Sequence, residues 1–244
     1  MFLGWKKMYS CILKEFGYDE EKDKESAVLL NSILKKSYIN RKIMNLVKDK
    51  TVLVIGSGPS LSTAITKLKN YKKLTIIAAD SSIKPLVENG IIPDIIVTDL
   101  DGDENTLEKI AKTKSIFVVH AHGDNIEKLG FVKKIKNCIG TTQSTPFDKI
   151  HNFGGFTDGD RGVFLANYYD AKKIILFGMD FGDQIGKFSE TKKSERKMKL
   201  MKLKRGESLL EWLATITKSE LYTTSKPIKG FRKISYKELD IIIT

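Results

Sequence analysis

The sequence predicts an α/β protein: a Rossmann-like, mostly parallel sheet with helices on both faces, extended by an N-terminal helical layer and a C-terminal basic helix. From Thr51 onward, short β-branched runs (TVLVI, LTIIAAD, PDIIVTD, SIFVVHAHGD, KKIILFGMD) alternate with amphipathic segments of helical length. That rhythm implies parallel strands joined by crossover helices. The runs also end in glycine or in an acid, and the carboxyl ends of strands are where open α/β sheets bind ligands.

Composition bounds the rest. With 244 residues, 41% hydrophobic and 30% charged, the chain has the make-up of a soluble globular protein able to bury a sizeable core. No apolar run approaches the roughly 18 to 20 residues of a membrane helix. The N-terminus turns charged too soon for a signal peptide and lacks a small-residue cleavage site, so cytoplasmic residence and no membrane partner are expected. Cys11 and Cys138 make no metal or redox spacing and read as small apolar fillers. The formal charge of +12 is concentrated between Lys187 and Arg205, where nine basic residues face only Glu190 and Glu195. A basic segment suits a polyphosphate as well as DNA, and without a nucleic-acid-reading motif no nucleic-acid partner is expected.

Taken in order, residues 1–48 read as a helical layer, because Phe2, Trp5, Met8, Ile12 and Phe16 recur at helical spacing and Ala27, Leu30, Ile33, Leu34 and Tyr38 repeat the pattern. Between them GYDEEKDKES is a polar break, with Ser26 in place to cap the second helix. The layer carries no chemical constellation and serves packing or a homo-oligomer. Residues 49–244 form the α/β unit, the two parts being compatible with one compact body. A helix is expected near Asn125–Lys136, a further strand at CIGTTQ, and a long functional loop at NFGGFTDGDRG. Another helix follows over Asp160–Tyr169, and a helical tail over Ser194–Lys218 before a short strand and irregular structure.

The loop Gly56, Ser57, Gly58, Pro59, Ser60 joins a strand to a helix, where glycines let the backbone approach a phosphate and the helix start offers unpaired N–H groups. This is close to a dinucleotide fingerprint, with Leu61 in place of the third glycine and Asp80 where a ribose-binding acid would fall. A plain tight turn reads the same. Asp99 and Asp101, at i, i+2 spacing after a buried strand, point the same way in extended backbone and can meet one hard cation, for which magnesium (Mg2+) carrying a nucleoside triphosphate is the natural choice. A solvated acidic turn is the bland alternative, weakened by the cost of burying an unneeded carboxylate. Asp103 caps the following helix.

HAHGDN ends the next strand, and Asp124 is the candidate third acidic metal ligand or organiser of the reacting groups. A zinc site through His120, His122 and His151 lacks helical spacing and cysteines, so these histidines read as satisfied polar groups near a phosphate. In GGFTDGDRG, Phe156 (or Phe153), Thr157, Asp158 and Asp160 are candidates to clasp a flat, amide-like heterocycle. Asp160 could equally cap the helix. Asp180 ends a further strand. Lys187 opens the basic segment, which is either a solvated face or a cover closing over phosphates.

These residues carry a resemblance. AADSSIKPLVENGIIPDIIVTDLDGD resembles thiamin pyrophosphokinases, whose pattern has an Asp after a strand, a Gly-x-x-Pro-Asp element and an Asp-x-Asp metal motif. With GSGPSL, HAHGDN, GGFTDGDRG and GMDFGDQIGKFS in this order over residues 51–189, the chain is similar to the archaeal 6-hydroxymethyl-7,8-dihydropterin pyrophosphokinases. The resemblance implies transfer of pyrophosphate from ATP to the pterin's hydroxymethyl group with release of AMP, in tetrahydromethanopterin or folate-type biosynthesis. It implies Asp99 and Asp101 as metal ligands, Asp124 as the acid of the next strand end and Asp80 as that of the preceding one, although HAHGDN stands where the thiamin enzymes carry Asp-x-Thr-Asp. The expected catalytic roles are orientation of the attacking hydroxyl by Asp124 or Asp80, and stabilisation of departing AMP by a lysine or Arg161. A nucleotide-sugar glycosyltransferase of the sialyltransferase-like or flagellin-modifying type, which shares GSGPSL and Asp-x-Asp, is the main rival, and a non-catalytic nucleotide-binding domain the second.

Overall fold

The computed structural model describes residues 1–35, 38–189 and 191–243; Glu190, counted in the basic segment, lies outside them. Helix α1 (Trp5–Phe16) buries Trp5, Tyr9, Ile12 and Phe16, one face at three- and four-residue steps, and ends at Gly17 with a left-handed φ of 67°. Helix α2 (Glu20–Ile33) begins sooner than expected. Asp19, not Ser26, caps it by accepting the Glu21 N–H, and Ser26 is buried within the helix. A third helix, α3 (Ile39–Val47), completes the layer. Cys11 is exposed on α1 rather than packed.

The described residues then form a nine-stranded sheet in which every pairing is parallel. In chain order the elements are β1 (Thr51–Ile55), α4 (Leu61–Leu68), β2 (Thr75–Ala79), α5 (Asp80–Glu88), β3 (Ile95–Thr98), α6 (Glu104–Ala111), β4 (Ile116–His120), β5 (Cys138–Thr141), β6 (Ile150–His151), α7 (Asp158–Tyr168), β7 (Lys173–Phe177), α8 (Arg196–Ala214), β8 (Glu220–Thr223), β9 (Arg232–Lys233) and α9 (Tyr236–Ile243). The strand order is β6-β5-β4-β3-β2-β1-β7-β8-β9. Strand order therefore reverses between β1 and β7, and the crevice at such a switch point is where ligands bind.

Alternation along the strands divides the core into two layers. Val52 and Val54 of β1 join Ile77, Val97 and Val118 under α1, α3, α7 and α8; Leu53 and Ile55 join Ala78, Ile96 and Val119 under α2, α4, α5, α6 and α9. The N-terminal helices thus share both cores with the sheet. Helix α7 lies over the middle strands, close enough that a Cβ on Gly162 would meet Ile77 and Val54 at 3.2 Å. Its Val163, Phe164 and Leu165 are fully buried, each stabilising the fold by about 2 kcal/mol.

The departures from expectation have local causes. The segment Gly123–Lys134 forms 3-10 turns, opened by His122 and Asn125 in a reciprocal cap, rather than an α-helix. Helix α7 starts two residues early because Thr157 and Asp160 close a capping box. The strand β6, which falls between the expected strand and the expected loop, and β8, β9 and α9, read as one short strand and irregular structure, are too short or too charged to show a clear period.

Candidate active site

At the switch point two loops brace each other. The Gly56 N–H donates to Phe177 O (2.8 Å) and the Gly58 N–H to Gly178 O (2.7 Å), while Asp180 Oδ2 accepts from the Ser60 N–H (2.8 Å) and hydroxyl (2.7 Å). A Cβ on Gly56 would lie 2.7 Å from Gly178 O, and one on Gly58 2.4 Å from Asp180 Oδ2. The glycines therefore admit the neighbouring loop, and of the expected phosphate-facing amides Ser57 N–H is the one that none of these bonds uses. Pro59 is exposed.

The acids gather at the ends of β2 and β3. Asp80, Asp99, Asp101 and Asp158 each offer an oxygen, all within 4.8 Å of one another. Strand β3 stops at Thr98, and Leu100 adopts a left-handed φ of 68° with its N–H held by Thr98 Oγ1 at 2.7 Å. It is this turn, not extended backbone, that sends Asp99 and Asp101 to one place, and a branched-chain residue in that conformation is strain of the kind stored at functional sites. Asp80, 3% exposed, opens α5; its Oδ2 accepts from the Thr98 hydroxyl and from Gly102 N–H (3.2 Å).

The electrostatics of this group are unfavourable without a cation. Burial, then the charges of Asp101 and Asp99, raise the Asp80 carboxyl to about 7 against the pull of its Thr98 and Gly102 bonds. Burial and the Asp99 charge raise Asp101 to about 6, and burial with all three neighbours pushes Asp158 well above the carboxylate range. Asp99 is driven the other way: burial opposes ionisation, but His122 and Asp101 bond to its carboxylate and bring it below the ordinary value. His122 Nδ1 accepts the Asp124 N–H (3.3 Å), so its Nε2–H is free to donate to Asp99 Oδ2 (3.2 Å). Asp80 Oδ1 and Asp99 Oδ1 are buried without a hydrogen-bond partner. Four carboxylates with unspent oxygens fit a hard divalent ion such as magnesium, which takes oxygen ligands at small radius.

The cleft over this group, about 1060 Å³ and open to solvent, is walled by both bracing loops, His120, His122, Gln143 and the Phe156–Gly159 segment. Its cover is α8, fixed to the core by Leu209, Leu210 and Leu213 and tied to α1 by an Arg205–Glu15 ion pair. From it Lys199, Lys202 and Leu203 reach the cleft. Lys202 Nζ sits 5.7 Å from the centre of the Tyr18 ring, and Tyr18 and Phe16 pack on Phe156 with centroids at 6.3 and 4.8 Å. The N-terminal layer thus builds part of the wall, which its sequence did not disclose.

Several candidates sit elsewhere than expected. Asp124 points outward with its side chain 72% exposed, 3.9 Å from His122, because His122 caps the turn in extended conformation; the carboxylate group forms without it, and Asp80 and Asp158 stand where a third ligand was sought. Asp160 is fully buried and its oxygens accept from Phe156 N–H (2.6 Å), Thr157 N–H (2.7 Å) and the Thr157 hydroxyl, so it caps α7 instead of facing a substrate. Arg161, 1% exposed, lies beneath the wall with its guanidinium on Phe156 O (3.1 Å). Lys187 is exposed above the Phe188 ring, outside the cleft lining. Phe156, Thr157 and Asp158 do line the cleft, Phe153 is buried in the core, Asp103 caps α6 through Thr106, and His151 pairs with Asn40. Sequence reasoning missed Tyr18 and Gln143, and it took Lys199 and Lys202 only as members of the basic segment that could close over phosphates.

Comparison with known proteins gives the chain's family. A family model described as 6-hydroxymethylpterin diphosphokinase MptE-like matches residues 27–186. A Pyrococcus furiosus protein named 6-hydroxymethyl-7,8-dihydropterin pyrophosphokinase is 46% identical over 217 residues, 86% of this chain and 92% of that protein. Proteins of the same name from Methanocaldococcus jannaschii and Methanothermobacter thermautotrophicus are 42% and 38% identical, over 86% of this chain and 94% and 93% of theirs. Among solved structures, the MAf glycosyltransferase from Magnetospirillum magneticum AMB-1 superposes at a TM-score of 0.56 and 15% identity over 89% of this chain, which spans 38% of that protein; at such identity the likeness concerns the fold alone. Among the described residues no helix is long and apolar enough to cross a membrane. The chain belongs to the MptE-like family of 6-hydroxymethylpterin diphosphokinases.

Proposed function

We propose that this chain is a 6-hydroxymethyl-7,8-dihydropterin pyrophosphokinase, acting in the cytoplasm with ATP as donor and magnesium as its metal. The observation that carries the reading is the group Asp80, Asp99, Asp101 and Asp158, with unspent oxygens, facing a cleft roofed by Lys199 and Lys202. The relatives' name supplies the acceptor.

In the reaction the pterin's hydroxymethyl oxygen attacks the β-phosphorus of ATP, and the bond from that phosphorus to the oxygen bridging to the α-phosphorus breaks. AMP leaves with that oxygen, and the pterin keeps the β- and γ-phosphates. Magnesium held by Asp80, Asp99 and Asp101 would neutralise the donor's phosphate charge. The chain's own contribution is positioning and charge. Lys199 and Lys202 meet the phosphates from above, Ser57 N–H donates to them from the β1 side, and Asp158, which follows Phe156 and Thr157 in the wall, receives the hydroxyl proton. Arg161 offsets carboxylate charge from beneath.

The test is incubation of the purified protein with ATP, magnesium and 6-hydroxymethyl-7,8-dihydropterin. AMP and the pterin diphosphate are expected in equal amounts, and a chelator should stop both. A folded protein that makes neither overturns the reading. Consumption of a sugar nucleotide without AMP would install the glycosyltransferase instead.

A further inference from the structure

Strand order lays the cleft out as a row. Gln143 follows β5, His120 ends β4, Asp99 follows β3, Asp80 follows β2, and the two bracing loops follow β1 and β7. Neighbouring strands are about 4.8 Å apart, so the carboxylate group has room for a ligand on either side. The two ends differ in their chemistry. At the β1–β7 end the polar groups largely satisfy one another. At the β5–β4 end two acceptors do not: His120 Nε2 and Gln143 Oε1 are buried without a partner, in residues 3% and 4% exposed that both line the cleft.

We infer that this pair of acceptors reads the heterocycle of the acceptor substrate, through two adjacent N–H donors on its edge, and that the nucleoside of the donor lies at the opposite, β1–β7 end. The inference rests on the proposed reaction for the identity of the heterocycle. His120 Nδ1 lies 3.2 Å from Thr141 Oγ1, whose hydroxyl is turned to Val119 O at 3.5 Å, so Nδ1 carries the proton and Nε2 is left as an acceptor. Gln143 is held from behind, its main-chain carbonyl accepting from Trp5 Nε1–H (2.8 Å) and Asn152 Nδ2–H (2.9 Å). Buried acceptors without donors are rare in folded proteins, and two in one cleft wall mark donors that arrive with a ligand. Adenine alternates donor and acceptor along its pairing edge and would satisfy one of them. A 2-amino-4-oxopyrimidine ring presents its ring N–H and amino group side by side and satisfies both. Phe156, in the same wall, gives such a ring an apolar face to lie on.

The experiment compares wild type with Gln143→Leu, similar in size but without an acceptor. Kd for 6-hydroxymethylpterin is read by quenching of pterin fluorescence, and Kd for ATP with magnesium by calorimetry, the latter also reporting the fold. Pterin binding should weaken about ten- to a hundredfold, the range for an unpaired polar partner, with ATP binding within about twofold. Wild type should also prefer the pterin over an analogue bearing a carbonyl in place of the 2-amino group, a preference that Gln143→Leu loses. Gln143→Met serves if the leucine variant does not fold. If wild type forms AMP and pterin diphosphate but the variant binds pterin normally, or loses ATP instead, the inference falls and the reaction stands. If wild type binds pterin through Gln143 but forms neither product, the reaction falls and the inference stands. No pterin binding by wild type sinks both.

Discussion

Asp158 and Asp160 stand two residues apart at the start of α7 and have opposite fates. Asp160 is fully buried, yet both its oxygens accept hydrogen bonds from Phe156 and Thr157; burial raises its carboxyl, and those bonds pull it back. Asp158 turns into the group with Asp80, Asp99 and Asp101, where burial and three like charges push it up. Burial alone therefore does not mark a functional acid. What separates the two is whether the oxygens are already spent on the backbone, and the same criterion separates the helix cap Asp103 from Asp99 and Asp101 just before it.

The largest effect that would break the comparison is at the unspent side. Asp101→Asn should lower turnover by about a thousandfold, the order seen when a charge-positioning group is lost, while thermal stability holds or rises because a like charge beside Asp99 is removed. Magnesium should stabilise wild type, by about 2.7 kcal/mol at a hundred times its Kd, and this shift should vanish in the variant. Scanning calorimetry with and without magnesium, beside product assays, reads all three. Turnover near wild type would put Asp101 among the spent carboxylates.

On the spent side the pattern should invert. Asp160→Ala leaves the buried Phe156 N–H, the half-buried Thr157 N–H and the Thr157 hydroxyl without their acceptor, at a cost of about 2–4 kcal/mol. For a chain of this size that is a fall of roughly 5–15 °C in Tm. Activity per folded molecule should drop far less than in Asp101→Asn. A variant melting like wild type but inactive would return Asp160 to the substrate side.

How far the sequence discloses this division depends on the range of the determining contact. The strand ends were legible because β-branched runs have a period, and parallel strands bring every run's last residues to one edge. Asp99, Asp101 and the loop at Gly56 followed from that. Asp158 was legible as a polar residue of the loop before α7 but not as a neighbour of the other three carboxylates, since its place depends on α7 crossing the middle of the sheet. Asp124 was misread because adjacency in sequence to a strand end does not fix direction: the His122 cap turns it outward. Gln143 and Tyr18 carry no motif; one is held by Trp5 from the far end of the chain, the other is delivered by the N-terminal layer. The short or charged strands β8 and β9 offer little periodicity.

The smallest effect sharpens the comparison at a third carboxylate. Asp23 of α2 spends both oxygens, on the Tyr9 hydroxyl (2.7 Å) and the Gly123 N–H (3.0 Å), yet burial still holds its carboxyl above the ordinary range. Between about 3.9, the value in an unfolded chain, and the raised folded value, the native state binds more protons than the unfolded one. Stability from this group is therefore fully present below that lower limit and is lost as pH rises through the folded value. Asp23→Asn removes the titration while an amide oxygen still accepts from Gly123 and the amide nitrogen can donate to Tyr9. Its stability at neutral pH should lie within about 1 kcal/mol of wild type, one hydrogen bond's net worth. Urea midpoints taken across the acidic range should then decline less with rising pH than those of wild type. An unchanged slope would mean that the two hydrogen bonds fully offset the burial of Asp23, so that spending the oxygens also restores the ordinary carboxylate range.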